Sequence, residues 1–232
     1  MAKKVSGEYA EKGDYHKKLD KKWIYYPVYV EKMRFVKQYL DKVRKGTKIL
    51  DAGCGEGVLV EEYKKKGHDI SGLDLNYSSK HVKKGDVTKM DFKDNTFNLI
   101  LALDLIEHLD FAQQERFVKE LKRVLKKGGK VLLAIPNQAH LASRLSFLFT
   151  GKLIRTSEVE RHKGDRPIKE YLALFKKHGF KVISKKGIFP TYPGISVATY
   201  LFPSKVLKWH RFYNDWAAGP GWSFINLVEL RK

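Results

Sequence analysis

The sequence predicts an α/β domain: a mostly parallel sheet with helices on both faces. Three observations carry that reading. From Lys48 onward, short apolar runs alternate with amphipathic stretches of helical length, the pattern of repeated strand–helix–strand units. Two of the runs, Phe97–Leu103 and Lys130–Ile135, are almost continuously apolar, as strands covered on both faces must be. The first run, Lys48–Ala52, leads directly into the glycine-rich turn Asp51-Ala52-Gly53-Cys54-Gly55-Glu56-Gly57. Such a turn lets backbone approach a ligand, and the helix after it offers unpaired N–H groups. With 232 residues, 43% of them hydrophobic, one core is feasible.

The elements follow in order. Residues 12–45 set Tyr15, His16, Trp23, Tyr25, Tyr26 and Tyr29 among basic residues, an aromatic and basic cover leading into a helix. Val58–Lys66 reads as a helix with Val58, Leu59 and Tyr63 inward and a Lys run at its C-terminal end, where cations favour the helix dipole. Asp69–Leu75 is the second strand, His81–Lys83 the third and Phe97–Leu103 the fourth. Phe111–Lys126 is an amphipathic helix whose core stripe is Phe117, Leu121, Val124 and Leu125, ended by Gly128-Gly129. Lys130–Ile135 is a buried strand stopped by Pro136. An insertion follows, with Leu141, Leu145, Leu148 and Phe149 at helical spacing. Ile168–His178 is a helix capped by Gly179. Phe180–Lys185 and Phe224–Leu230 are the closing strands. Between them, Val206, Trp209, Tyr213 and Trp216 are expected on one side of a basic amphipathic segment. The expected division is a single domain, 1–232: a helical cover (1–45), a ligand-binding core (46–136), a lid (137–167) and the second half of the sheet (168–232).

The formal net charge is +20. It is uneven: +8 over residues 1–50, +1 over 51–136 and +11 over 137–232, by count of Lys, Arg, Asp and Glu. A basic surface attracts phosphates, nucleic acid or anionic lipid, and a Lys-rich solvated surface is the competing account. A single cysteine, Cys54, excludes an intrachain disulfide and a zinc site of several thiolates. No metal site is expected. The start carries no apolar signal region, and no run of 18 uncharged apolar residues exists, so a cytoplasmic protein is expected.

The glycine turn fails two nucleotide patterns. A dinucleotide fingerprint needs a small residue where Val58 stands. A phosphate-binding loop needs a Lys that does not follow. What stands here, acidic-x-G-x-G-x-G, resembles motif I of class I S-adenosylmethionine-dependent methyltransferases. The resemblance continues in order through Gly72-Leu73-Asp74-Leu75, Gly85-Asp86-Val87-Thr88 and Asn95–Leu109 with its Glu107-His108-Leu109 ending. It extends to Leu121–Asn137 and His162–Phe180, so that it covers about residues 45–187 and the final strand.

The resemblance implies a Rossmann-like seven-stranded sheet whose last strand is antiparallel, and methyl transfer from S-adenosyl-L-methionine. It places Asp51, Gly53, Cys54, Gly55 and Gly57 at the methionine end, Asp74 and Leu75 at the ribose, and Asp86 and Val87 at the adenine. Leu103 closes the fourth strand beside the cofactor, and Asp104 would help hold the methionine amino group. His108 is the expected catalytic base, Glu107 orienting it or touching the acceptor; for both, a purely structural part in the turn is the alternative. For Asp86, a turn-capping residue is the alternative. Cys54 is not expected to be a nucleophile.

Base-amino methylation is disfavoured because Leu103-Asp104-Leu105-Ile106 is not an N/D/S-P-P-Y/F loop. Pyrimidine C5 methylation is disfavoured because the only cysteine lies in the cofactor turn. The expected acceptor is small or lipid-like and anionic, with peripheral contact to an anionic membrane. An RNA methyltransferase gripping phosphates, and a binding module that keeps the cofactor but has no acceptor, are the alternatives. Arg144, Lys152, Arg155, Lys205, Lys208 and Arg211 are expected around the acceptor entrance, at the carboxyl edge of the sheet.

Overall fold

Each buried strand feeds two cores, which is why its sequence is apolar without alternation. In β4 (Phe97–Leu103), Ile100 and Ala102 join one hydrophobic cluster and Leu99 and Leu101 join the other. The computed structural model describes residues 19–232; Tyr15 and His16 of the expected cover lie outside them. The other strands are β1 (Lys48–Ala52), β2 (Asp69–Asp74), β3 (Val82–Lys84), β5 (Leu125–Pro136), β6 (Lys181–Ile188) and β7 (Ile225–Arg231). Together they form one sheet in the order β3-β2-β1-β4-β5-β7-β6. β1 is parallel to β2 and β4, β2 to β3, and β4 to β5, while β7 is antiparallel to β5 and β6.

Helices cover both faces. Helices α1 (Tyr26–Leu40) and α2 (Val58–Lys65) bury Val28, Val36, Leu40, Leu59 and Tyr63 in one cluster. On the other face, α3 (Phe111–Val124) and α5 (Ile168–Lys177) bury Phe117, Leu121, Tyr171 and Phe175. α4 (Leu141–Thr150) follows β5, and α6 (Pro193–Leu201) and α7 (Leu207–Trp216) lie between β6 and β7. The starts of α4 and of β7 meet where β5 ends: Asn137 N–H donates to Phe224 O (2.8 Å) and Leu141 N–H to Trp222 O (2.8 Å). The strand order reverses between β1 and β4, and the crevice outside the carboxyl ends of those strands is where such sheets take ligands.

Three expectations are corrected. The helix from Phe111 stops at Val124 instead of Lys126, and Leu125 already belongs to β5. The carbonyls of Arg123 and Val124 accept from Asn95 and Thr96 N–H (3.0 and 2.7 Å), so the helix end is satisfied by the approach to β4. Gly128 and Gly129 therefore lie inside the strand and cap nothing. β6 runs on to Ile188 because its pairing with β7 continues to Ile225. In the C-terminal segment, Val206, His210 and Asn214 face inward, while Trp209 and Trp216 are 60% and 82% exposed. His210 meets the Thr199 hydroxyl and Asn214 accepts from Phe189 N–H (both 2.7 Å), so polar side chains anchored by one hydrogen bond each fill the inward positions, with His210 Nδ1 and Asn214 Nδ2 buried without one.

Candidate functional site

The glycine turn at the end of β1 is built by three left-handed glycines. Gly53, Gly55 and Gly57 have φ of 71°, 53° and 71°, values that cost a residue with a Cβ about 1–2 kcal/mol. At Gly53 a Cβ would also stand 2.7 Å from Leu105 Cδ1, so the turns after β1 and β4 touch across the crevice. Gly53 N–H donates to Leu73 O (2.7 Å) and ties the turn to β2. Cys54 packs over Gly72, where a Cβ would stand 2.5 Å from its sulfur. Burial pushes the Cys54 thiol far up, which fits its expected inertness as a nucleophile.

Acids surround this turn. Asp51 is buried, and burial together with the Asp74 charge pushes its carboxyl up to about 7. Asp74, also buried, accepts from Gly55 N–H (2.8 Å) on one oxygen and from Asn76 and Tyr77 N–H (2.8 and 3.0 Å) on the other. It shapes the turn it was expected to serve. Leu75 is exposed beside it. Val87 is buried behind β3, while Asp86 is exposed and caps its own turn, accepting from Thr88 N–H (2.7 Å). Asn98 accepts from Lys48 N–H (3.2 Å), holding the starts of β1 and β4 together.

Across the crevice, Leu103 ends β4 half-buried and Asp104 takes a left-handed φ of 51°. One Asp104 oxygen is paired with the Lys32 ammonium from α1; the other is buried without a hydrogen-bond partner. The sequence gives no sign of Lys32, which stands 72 residues from its partner. The pair ties the cover helix to the site. Replacing Lys32 with Met keeps the stem and strands the carboxylate, so the variant should lose about 3 kcal/mol in urea unfolding, the low end for a broken buried pair because Asp104 is 35% exposed. A loss below about 0.5 kcal/mol would make the pair a surface contact.

Glu107 and His108 lie in a short 3-10 turn, Ile106–His108, that follows β4. Glu107 is 1% exposed. Burial pushes its carboxyl well above the usual range, helped by Asp104 and Asp165 and opposed by Lys32. His108 Nδ1 meets Arg161 O at 3.0 Å. Gly164 N–H donates to Glu107 O (3.1 Å), bringing residues 156–166 over the turn. Gln114 from α3 fixes this junction by donating to Ile106 O, Leu109 O and Gly164 O (2.9, 3.1 and 2.7 Å).

Residues 137–167 and the C-terminal helices gather at the same edge of the sheet. Arg144 donates to Ala139 O and Gly221 O (both 2.6 Å), and Arg211 reaches Glu31 at 3.5 Å. These two of the six expected entrance cations therefore have structural partners. Lys152, Arg155, Lys205 and Lys208 are exposed.

Known proteins place this geometry. A model of the methyltransferase domain family matches residues 16–185. A ubiquinone biosynthesis O-methyltransferase of Pelagibacter ubique is 25% identical over 64% of this chain and 67% of its own length. One from Rhizobium leguminosarum bv. trifolii is 23% identical over 62% and 63%. The chain thus spans about two thirds of the length of these curated relatives. The crystal structure of a SAM-dependent methyltransferase from Archaeoglobus fulgidus superposes with a TM-score of 0.58, covering 88% of this chain and 94% of that one at 18% identity.

Proposed function

The chain belongs to the methyltransferase domain family, a methyltransferase with S-adenosylmethionine as methyl donor, and on that premise we propose that its acceptor is small or lipid-like and anionic. The residues around the glycine turn suit the donor. Asp51, Asp74 and Asp104 put buried or half-buried carboxylates around one crevice, and an oxygen of Asp104 lacks a partner. A ligand carrying an ammonium, a sulfonium and ribose hydroxyls meets those needs. The N-terminus of α2, where Gly57 caps without a side chain, suits its carboxylate. In this reading Gly53, Cys54, Gly55 and Gly57 hold the methionine end with Asp51. Asp74 and Leu75 meet the ribose, Asp86 and Val87 the adenine, and Leu103 packs beside it.

The donor supplies a methyl group on a good neutral leaving group. The protein's part is alignment, which contributes roughly 7–11 kcal/mol in well-oriented reactions. Glu107 and His108 mark the acceptor side, just past Asp104.

One observation carries the acceptor class. Helices α4, α6 and α7 at the carboxyl edge expose large apolar side chains: Leu148 and Phe149 (73% and 79%), Tyr200, Trp209 and Trp216. Exposed Lys152, Arg155, Lys205 and Lys208 stand in the same segments. Apolar residues beside cations suit an acyl or ring body with an anionic headgroup. Among the described residues no helix is long and apolar enough to cross a membrane, so contact would be peripheral.

Labelled methyl groups should pass to the organic-soluble fraction of a cell extract, and the protein should co-sediment with phosphatidylglycerol vesicles but not with phosphatidylcholine. Binding should weaken as salt rises past physiological strength, where charges are screened beyond about 8 Å. Label appearing in RNA instead, with no vesicle binding at low salt, would replace this reading.

A further inference from the structure

Beyond the donor crevice, the geometry points to a divalent-cation site made by Glu107, His108 and His162. One ligand atom from each of the three lies within 4.8 Å of the other two. The two imidazoles meet edge to face at 4.8 Å between ring centres. They come from segments 54 positions apart, so no local motif announces the cluster, and its formation depends on the lid folding over the 3-10 turn.

The surroundings prepare these groups as ligands. His108 Nδ1–H donates to the Arg161 carbonyl (3.0 Å), a bond that only the neutral tautomer with its lone pair on Nε2, or the cation, can make. His162 Nδ1 meets Thr156 Oγ1 at 3.0 Å, and the Thr156 hydroxyl donates to Asp165 Oδ2 at 2.6 Å. With its proton committed to Asp165, Thr156 Oγ1 accepts from His162 Nδ1–H, and the same tautomer results. A carboxylate that fixes an imidazole through a second bond is the usual support of a metal-bound histidine. The third group is the independent sign of a ligand: Glu107 is 1% exposed, and its Oε2 is buried with no hydrogen-bond partner. A buried carboxylate oxygen left in that state is costly, and a cation would satisfy it.

The charge balance agrees. Asp104 and Asp165 are the acids that act on Glu107, against one ammonium, Lys32. The junction is closely packed: at Gly164 a Cβ would lie 2.1 Å from both Gln114 Nε2 and Leu109 O, so this segment can sit on the turn only with glycine there. Two imidazoles and one carboxylate suit a borderline divalent ion such as Zn²⁺, Co²⁺, Mn²⁺ or Fe²⁺, and leave coordination positions open. This assigns His108 as a ligand in place of a free base. Resting on the methyl-transfer reading, an acceptor oxygen would take an open position and lose its proton more easily there.

The test uses the full chain without donor or acceptor, so that it stands apart from the methyl-transfer reading. Calorimetry with Zn²⁺ and the visible spectrum with Co²⁺ should show one ion per chain, with the absorption of nitrogen and oxygen ligands. His162→Ala and the near-isosteric Glu107→Gln should each weaken binding at least 100-fold while melting cooperatively. Thr156→Val, which only frees the ring of His162, should weaken it about tenfold. His178→Ala, a histidine at the C-terminal end of α5 paired with Glu115, should leave binding unchanged. No stoichiometric ion in the wild type, or equal binding in folded Glu107→Gln and His162→Ala, would overturn the site even if methyl transfer proceeds.

Discussion

Replacing Asp74 with Ala should weaken S-adenosylmethionine binding about 100-fold and cost the free protein roughly 2–4 kcal/mol. Two losses combine. Without donor, the carboxylate holds three backbone N–H groups, those of Gly55, Asn76 and Tyr77, at 2.8–3.0 Å. Bonds to a charged acceptor contribute about 1.5–3 kcal/mol each, and the Gly55 amide is buried, so water replaces that bond poorly. With donor bound as proposed, two ribose hydroxyls would lose their acceptor, and about 1.4 kcal/mol for each gives the hundredfold. Asp74→Asn separates the effects. Its one amide oxygen can keep the Asn76 and Tyr77 N–H bonds while its NH2 faces the Gly55 N–H, so the fold should lose less than in Asp74→Ala while affinity falls about tenfold. Calorimetry on both variants, with melting curves beside it, reads the outcome. Native affinity in a folded Asp74→Ala would take Asp74 out of the donor site and leave it as a turn cap alone.

The strands were legible because burial on both faces makes them apolar throughout, and β4 needed no periodicity to be recognised. The glycine turn is legible because its parts are consecutive: an acid at a strand end, then glycines that the backbone angles require. Boundaries were less legible where tertiary contacts decide them. Leu125 has the pattern of a helix residue, yet it pairs with Phe97 as a strand residue. The inward face of α7 escapes a hydrophobic pattern, because His210 and Asn214 are buried through specific hydrogen bonds. The other side of the crevice depends on pairs distant in sequence. Lys32 reaches Asp104 and His162 reaches His108 only after the cover and the lid are in place. No spacing rule spans such distances.

Acid should loosen the lid before it unfolds the sheet. His140 caps α4 through its ring: Nδ1 accepts from Ser143 N–H at 3.3 Å, while Nε2–H donates to Ile154 O at 3.2 Å. Burial, and then the Arg144 charge, push this imidazole down to about 4. Protonating Nδ1 would turn the capping acceptor into a donor and put positive charge at a helix N-terminus, where the dipole opposes it. The unfolded histidine titrates near 6.5. Between about 6.5 and 4 the unfolded chain therefore binds a proton that the folded one does not. The contribution is fully present above pH 6.5 and shrinks as pH falls towards 4. Over two pH units it amounts to about 3 kcal/mol. His210, pushed down to about 4 by burial, acts in the same direction. The buried Asp51, with its carboxyl raised to about 7, acts in the opposite one, gaining stability as pH falls. The sum is thus flat where the parts are steep, and the test must be differential. Asn caps helices well without titrating, so His140→Asn should cost little at pH 7.5. At pH 4.5 it should be more stable than the wild type by about 2–3 kcal/mol relative to that reference. Protection of the Ser143 and Arg144 amides, referred to the intrinsic exchange rate at each pH, should fall on acidification in the wild type only. A stability difference between the two proteins that stays constant from pH 7.5 to 4.5 would show that the His140 cap carries no proton linkage.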